Sequence, residues 1–172
     1  MPEEPSPGPR KSQKPPLDLM SKANSKKPQL ARSQNWPVWL AAYLESRRNQ
    51  DFKWGYHDCC IFAADWVRKS TGYDPAKDFR RKYRSEAGAL KILKKKNGVR
   101  GLADNVFPRV KLAFAKRGDL VAFRDPALKG PAWACTALGI LDGRHALFAG
   151  PESMRVIPRK LLMKTAWKVG EA

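Results

Sequence analysis

The chain has 172 residues, 42% of them hydrophobic, and a formal net charge of +18 from 34 basic and 16 acidic side chains. This size and composition predict one domain with a hydrophobic core, and the charge predicts attraction to polyanions or acidic surfaces. No apolar run reaches the length of a membrane span, and the N-terminus lacks the hydrophobic core of a signal peptide. Three cysteines, two of them adjacent, do not fit a disulfide framework. We therefore expect a protein that folds in a cytoplasm.

Residues 1–34 differ in composition from the rest of the chain. They hold seven of the fourteen prolines, no aromatic residue, and seven basic against three acidic residues. Such a segment buries too little apolar surface to offset the entropy cost of ordering. We predict a basic, proline-rich extension over 1–34, disordered alone or ordered by partners, and a folded domain over 35–172.

The first part of the domain has the pattern of helices. Apolar residues spaced three and four apart predict helices over 36–44, 58–69 and 86–96, and a shorter helix over 102–107. Ser85 is a favourable N-cap for the third of these helices.

The second part of the domain has the pattern of short strands, at 110–114, 120–123, 133–141, 144–149, 156–158 and 166–169. Asp142-Gly143 fits a two-residue hairpin turn between the third and fourth of these strands. Helices followed by an antiparallel meander predict the α+β fold class.

The stretch from Trp54 to Val67 carries the candidate chemistry. Polar, turn-forming residues precede Cys59, and apolar residues recur after it with helical spacing. With Asp58 as N-cap, Cys59 lies on the first turn of a mostly buried helix, where the helix dipole favours a thiolate. Two interpretations stay open: Cys59 is the nucleophile of a thiol hydrolase, or it is an inert residue of the core.

Five motifs give the domain a resemblance to known proteins: Trp-Gly-x-His-Asp-Cys-Cys, Asp-Pro after a Thr-Gly turn, an Arg-Gly-Asp strand, Ala-Leu-Gly-Ile and Ala-Trp, at 54–60, 71–75, 117–121, 137–140 and 166–167. With these motifs the chain resembles a family of small tail-associated proteins of phages and prophages. It is more distantly similar to the NlpC-type papain-like cysteine peptidases, which cleave peptidoglycan stem peptides. In those enzymes the nucleophile follows an Asp at a helix start, and the next strand begins with Gly-Asp.

The resemblance implies a papain-like fold in which N-terminal helices pack on a small antiparallel sheet. It also implies a place in the tail tip of a virion, after assembly in the cytoplasm of the bacterial host. The implied partners are other tail-tip or baseplate proteins and peptidoglycan. Carried over to this sequence, Cys59 takes the position of the nucleophile, and Ala137 takes the position of the catalytic histidine.

The catalytic partners of a thiol peptidase are missing from their expected positions. Such an enzyme needs an imidazole as base and a third polar group that orients it. With Asp142-Gly143 as the turn, Ala137 faces Phe148. In the peptidases that the chain resembles, the orienting group stands on this neighbouring strand across from the histidine, so the resemblance gives Phe148 that position. Both side chains are apolar, and this pattern indicates a dismantled catalytic site.

Two histidines and one carboxylate remain as candidate bases. In the predicted register His145 pairs with Ile140 and lies on the opposite face of the sheet from Ala137. His57 precedes the helix cap and approaches Cys59 from the helix side, and its alternative role is a structural hydrogen bond. An Asp that leads a strand, as Asp119 does, is usually structural.

A zinc site is the remaining chemical option. His57, Cys59, Cys60 and Cys135 are zinc-type ligands, but the sequence has no CxxC spacing, and adjacent cysteines point in different directions on a helix. We predict no metal site and no cofactor, and we favour a contact between the thiols of Cys59 and Cys135.

A basic surface is the second functional candidate. Nine cationic residues crowd the region of the third helix: Arg80, Arg81, Lys82, Arg84, Lys91, Lys94, Lys95, Lys96 and Arg100. Such a patch can neutralise several phosphates of a nucleic acid, with strongly salt-dependent affinity. The alternatives are a solvated face or a face that docks acidic neighbours in an assembly.

Three functional hypotheses follow. The first is a structural or assembly component of a phage-like tail tip, built on a degenerate cell-wall peptidase fold and expected to be inactive. The second is an active cysteine endopeptidase that cleaves peptidoglycan stem peptides during cell entry, with Cys59 as nucleophile. The third is a basic nucleic-acid-binding protein.

Overall fold

The computed structural model describes residues 27–171, which contain four helices and six strands. The helices are α1 (Trp36–Arg47), α2 (Cys59–Thr71), α3 (Glu86–Lys95) and α4 (Gly98–Val106). The strands are β1 (Arg109–Lys111), β2 (Leu120–Arg124), β3 (Thr136–Asp142), β4 (His145–Ala149), β5 (Met154–Pro158) and β6 (Thr165–Trp167). None of the helices in this range has the length and hydrophobicity needed to cross a membrane.

The predicted capping residues set the ends of α2 and α3. Asp58 and Ser85 accept hydrogen bonds from backbone N–H groups in the first turns of α2 and α3, and Gly72 ends α2 with a φ of 79°. The fourth helix begins at Gly98, four residues before its predicted start. Asn97 has a φ of 58°, so the chain leaves α3 in a left-handed conformation and enters α4 directly.

The six strands form one antiparallel sheet in the order β1-β6-β2-β3-β4-β5. Each of β2–β5 pairs with the strand that follows or precedes it in the chain, and β6 returns to lie between β1 and β2. Helices followed by this sheet confirm the predicted α+β class.

The predicted register of the β3–β4 hairpin is wrong by one residue on each strand. Asp142 pairs with His145, so the two turn residues are Gly143, with a φ of 66°, and Arg144. Asp142 remains in the strand, where its Oδ1 accepts a hydrogen bond from Arg117 Nε at 2.6 Å. His145 therefore does not pair with Ile140.

The corrected register places Gly139, and not Ala137, across from Phe148. Ile140 pairs with Leu147, so the preceding residue of β3 lies opposite the following residue of β4. A Cβ at position 139 would lie 2.5 Å from Phe148 Cε1 and 2.6 Å from the Leu147 carbonyl oxygen. The glycine of the Ala-Leu-Gly-Ile motif therefore makes room for this aromatic ring.

Both faces of the sheet are apolar. Leu138 and Ile140 of β3 pack with α1, α2 and α4, where Trp66 is fully buried. Phe148 belongs to the opposite face, which closes on its own loops through residues such as Leu162. Because side chains alternate along a strand, the even-numbered residues of β3 are those that approach α2.

Residues 30–32, part of the predicted extension, lie along the C-terminal segment, and the Ser33 N–H donates to the Ser70 carbonyl oxygen near the end of α2. Ala31 forms an isolated parallel bridge with Glu171, and the Arg32 N–H donates to the Glu171 carbonyl oxygen at 2.8 Å. The Arg32 side chain is 3% exposed and pairs with Asp119 at 2.6 Å. The described part of the extension is therefore joined to the domain. Residues 1–26 lie outside the described residues, so their disorder or ordering by partners stays a prediction.

Candidate functional site

Four hydrogen bonds to the buried Asp58 carboxylate fix the start of α2. Oδ1 accepts from the backbone N–H groups of residues 60–61, each at 3.0 Å. Oδ2 accepts from the Gly55 N–H at 2.8 Å and from the Tyr83 hydroxyl at 2.5 Å. These bonds satisfy both carboxylate oxygens, so the role of Asp58 is to cap the helix and to place Cys59 at its first residue.

Gly55 and Tyr83, which both donate to this carboxylate, pack closely against each other. Gly55 has a φ of 76°, and a Cβ there would lie 2.3 Å from the Tyr83 carbonyl oxygen. Burial and then the Asp58 charge raise the pKa of the Tyr83 hydroxyl, so it stays protonated and donates. The first half of the Trp-Gly-x-His-Asp-Cys-Cys motif is therefore a structural support for α2.

The half-buried Cys59 lies beneath α3 and α4. With residues that include Trp54, Leu93 and Leu102, it lines a cavity of about 30 Å³. That volume holds roughly one or two water molecules. Side chains of α3 and α4 therefore form part of the wall of the cavity at the thiol.

The two adjacent thiols differ in acidity. A hydrogen bond with the Cys60 side chain lowers the pKa of the Cys59 thiol, and the main chain of Leu138 acts in the same direction against burial. The same interaction and burial raise the pKa of the Cys60 thiol. Cys59 is therefore the more readily ionised thiol, as its place at the start of α2 predicts.

The strand next to Cys59 offers it no side-chain base. Leu138 shares the helix-facing core with Cys59. Ala137, the predicted position of the catalytic histidine, packs on the opposite face with Phe123 and Phe148. Position 137 therefore points away from α2, whichever residue occupies it.

His145 lies at the far end of the hairpin from Cys59. It is exposed at the first position of β4 and pairs with Asp142. Asp142 is four residues along β3 from Leu138, roughly 13 Å at about 3.3 Å per residue. A general base must reach its proton within about 3 Å, or through one water. This geometry does not bring His145 to the thiol.

His57 packs against the first turn of α2. Its ring, 3% exposed as a residue, meets Phe62 edge-on at a centroid distance of 6.0 Å. Burial, and then the nearby Arg47 guanidinium, lower the pKa of His57, so the imidazole is neutral at pH 7. Its backbone N–H and carbonyl oxygen both bond to Lys53. Within residues 27–171 the buried Nδ1 of the imidazole has no hydrogen-bond partner, so the structural hydrogen bond predicted for the His57 side chain is not found at this nitrogen.

Cys135 is buried in the turn before β3, where its sulfur packs against Gly130. Its carbonyl oxygen accepts a hydrogen bond from the Asp125 N–H at 2.9 Å. Within residues 27–171, no three His, Cys, Asp or Glu side chains cluster closely enough to hold a metal ion. The predicted contact between the thiols of Cys59 and Cys135 stays a prediction.

The Arg-Gly-Asp motif forms a socket for Arg32, which the sequence analysis does not identify. The guanidinium donates to Asp119 Oδ1 at 2.6 Å and to the carbonyl oxygens of Arg117 and Val169 at 2.7 and 2.5 Å. A Cβ at Gly118 would lie 2.9 Å from Arg32 Nη1. Asp119 therefore has a structural role, as expected for an Asp that leads a strand.

Arg80 does not contribute free positive charge to the predicted basic surface. Its guanidinium is bound by Asp65 at 2.7 Å and by Asp74 at 2.9 Å. Arg100 is half-buried, and the other seven predicted members are exposed.

Comparison with known proteins places the chain in a family. No curated protein matches the chain. The family model described as Domain of unknown function (DUF6950) matches residues 31–169, a span that begins next to Arg32 and ends just past β6. The chain therefore belongs to this family, whose function is unknown.

Proposed function

We propose that the chain is a structural or assembly component of a phage-like tail tip, built on a papain-like fold of the NlpC type that has lost its catalytic site. The order of the elements supports this architecture: Cys59 begins the buried α2, a Gly-Asp pair leads β2, and the β3–β4 hairpin follows. The motifs shared with tail-associated phage proteins support the tail-tip role and a place in the virion.

One observation carries the loss of catalysis: the described groups that act on the Cys59 thiol are Cys60, Asp58 and the main chain of Leu138, and neither histidine is among them. The chain has two histidines. His57 packs on Phe62, and His145 lies roughly 13 Å along the hairpin from the strand residue beside the thiol. Without a base, the thiol cannot pass its proton to the leaving amine of a peptide.

The small size of the cavity at Cys59 is a second, independent reason to assign the protein as inactive. The cavity at the thiol measures about 30 Å³, and Leu93 of α3 and Leu102 of α4 are part of its wall. A cavity of this volume is too small to hold a stem peptide at the thiol. The start of α3 is held by Ser85, and Tyr83 just before it bonds to Asp58.

Complementation of a phage or prophage that lacks the gene tests the proposal. Cys59→Ala is expected to restore particle yield and infectivity to the wild-type level, and mass spectrometry of purified particles is expected to detect the chain. Particles of normal composition, with the normal amount of the chain, that lose infectivity with Cys59→Ala would overturn the inactive assignment. Absence of the chain from the particles would overturn the tail-tip assignment.

One observation favours the alternative of an active cysteine endopeptidase. The hydrogen bond with Cys60 lowers the pKa of the Cys59 thiol, which is the direction that a nucleophile needs. Such an enzyme would still need a larger cavity at the thiol and a base supplied by His57 or His145. This second candidate predicts stem-peptide release that depends on Cys59 and on one histidine.

A further inference from the structure

A run of exposed cations covers one side of α3 and the loop before it. Residues 81–96 contain seven basic side chains and one acidic side chain, Glu86. All seven basic residues are exposed. We call them the basic ridge: Arg81, Lys82, Arg84, Lys91, Lys94, Lys95 and Lys96.

The basic ridge carries uncompensated charge. Within residues 27–171 none of the ion pairs includes a ridge residue. The neighbouring Arg80 shows the contrast, since Asp65 and Asp74 neutralise it. The charge of the ridge is therefore available to a partner.

Helix α3 holds the central lysines on one face. Lys91, Lys94 and Lys95 are three and four residues apart, so they project from the same side of the helix. The buried Ala89 lies on the opposite side, toward the domain. The ten residues of α3 span roughly 15 Å. These three lysines of the ridge therefore form a row of cations on a regular element.

The composition of the ridge favours a nucleic acid over an acidic protein. The large exposed apolar side chains within residues 27–171 all lie elsewhere: Val38, Phe114, Leu128, Val156 and Leu161. Centres of protein–protein interfaces are enriched in aromatic residues and depleted of lysine, whereas interfaces with DNA are polar and strongly positive. Five of the seven ridge residues are lysines, which bind phosphates as point charges.

Neither Tyr83, within the ridge segment, nor Tyr56, beside it, is an exposed stacking surface for unpaired bases, and Tyr83 is buried. Tyr56 is half-buried, with Lys53 Nζ 4.5 Å and Arg81 Cζ 5.5 Å from its ring centroid. Proteins that bind single strands combine a basic groove with exposed aromatic platforms. This arrangement favours contact with the backbone of a duplex.

We propose that the basic ridge binds the phosphate backbone of double-stranded DNA without reading its sequence. The proposal does not depend on the tail-tip role, and either can fail without the other. Each phosphate contact contributes about −0.9 to the slope of log K against log salt concentration. Lys91→Gln, Lys94→Gln and Lys95→Gln together are expected to make that slope shallower by about 2.7. At 0.1 M salt this corresponds to binding weaker by on the order of 100-fold or more.

The experiment measures binding of the full 172-residue chain to a fluorescent 30-base-pair duplex of arbitrary sequence at several salt concentrations. The control triple variant changes Lys111, Lys160 and Lys164 to Gln, which are exposed and outside the ion pairs within residues 27–171. Both variants have the same net charge and the same N-terminal extension. Circular dichroism confirms that both are folded.

Three outcomes decide the proposal. A larger loss of affinity and of salt slope in the ridge variant than in the control supports it. Equal losses would overturn it, because the binding would then reflect net charge alone. Polyglutamate that displaces the duplex as well as unlabelled duplex does, at equal charge concentration, would also overturn it. That result would assign the ridge to an acidic protein surface.

Discussion

Arg32→Ala is expected to lower the free energy of unfolding by about 3 kcal/mol. The substitution leaves the Asp119 carboxylate, whose side chain is 4% exposed, without the guanidinium 2.6 Å away. Removing one partner of a buried ion pair costs roughly 3–5 kcal/mol, because the other charge remains buried and uncompensated. Asp119 keeps hydrogen bonds from the N–H groups of Lys116 and Val169, at 2.8 and 3.1 Å, so the lower end of that range is expected.

Urea unfolding of the full chain, followed by far-UV circular dichroism, measures this effect. Arg48→Ala is the matched control, because Arg48 and its partner Glu45 are 67% and 69% exposed. Such a surface pair contributes about 0–1 kcal/mol. Asp119→Asn combined with Arg32→Ala is expected to cost less than the sum of the two single changes, because the two groups interact directly. A loss for Arg32→Ala no larger than that for Arg48→Ala would refute the reasoning.

Three further predictions concern the thiol pair, the hairpin and the acid range. Cys60→Ala removes the hydrogen bond that lowers the pKa of the Cys59 thiol, so alkylation of Cys59 is expected to require a higher pH; an unchanged profile would contradict this cause. Gly139→Ala is expected to cost about 1–3 kcal/mol in urea unfolding, since its Cβ would lie 2.5 Å from the aromatic ring on β4; a neutral effect would contradict the corrected register. Burial raises the pKa of the Asp74 carboxyl, but hydrogen bonds from the Arg80 guanidinium help to lower it by more, so the pKa is below its usual value. That stabilisation is present above pH 4 and lost as the pH falls through the folded-state pKa, so Arg80→Gln is expected to reduce the acid sensitivity of stability between about pH 5 and 2. Equal acid sensitivity in both proteins would count against this ion pair.

Local signals in the sequence predict the helix ends correctly where the determining residue is adjacent. The capping residues interact with backbone groups only two to four positions away, so the sequence alone predicts their role. They are Asp58, Ser85 and Gly72. The start of α4 is missed because Asn97-Gly98 is a turn signal. Here the same left-handed residue that ends α3 also leads into the next helix.

Features that depend on contacts between residues distant in the sequence could not be predicted in the same way. The socket for Arg32 joins residues 87 positions apart in the sequence, and a lone arginine in a basic extension gives no sign of it. In the observed hairpin register Asp142 stays in β3, where it accepts a hydrogen bond from Arg117, 25 positions away in the sequence. The sequence places Arg80 in a basic patch, because it does not show that the fold brings Asp65 next to the Arg80 guanidinium.

The candidate site was predictable in part for the same reason. The position of Cys59 follows from its neighbour Asp58, whereas the residue that faces it depends on strand alternation and register. The sequence predicts that the base is missing. The structure adds that position 137 faces away from α2 and that Leu138 lies beside the thiol.

Peptidoglycan hydrolysis by the purified full chain tests the central claim most directly. The wild-type protein and Cys59→Ala are incubated with purified sacculi beside an active NlpC-type peptidase, and released stem-peptide fragments are measured by mass spectrometry. The account predicts no release above background by either protein. Release by the wild type that Cys59→Ala abolishes would contradict it.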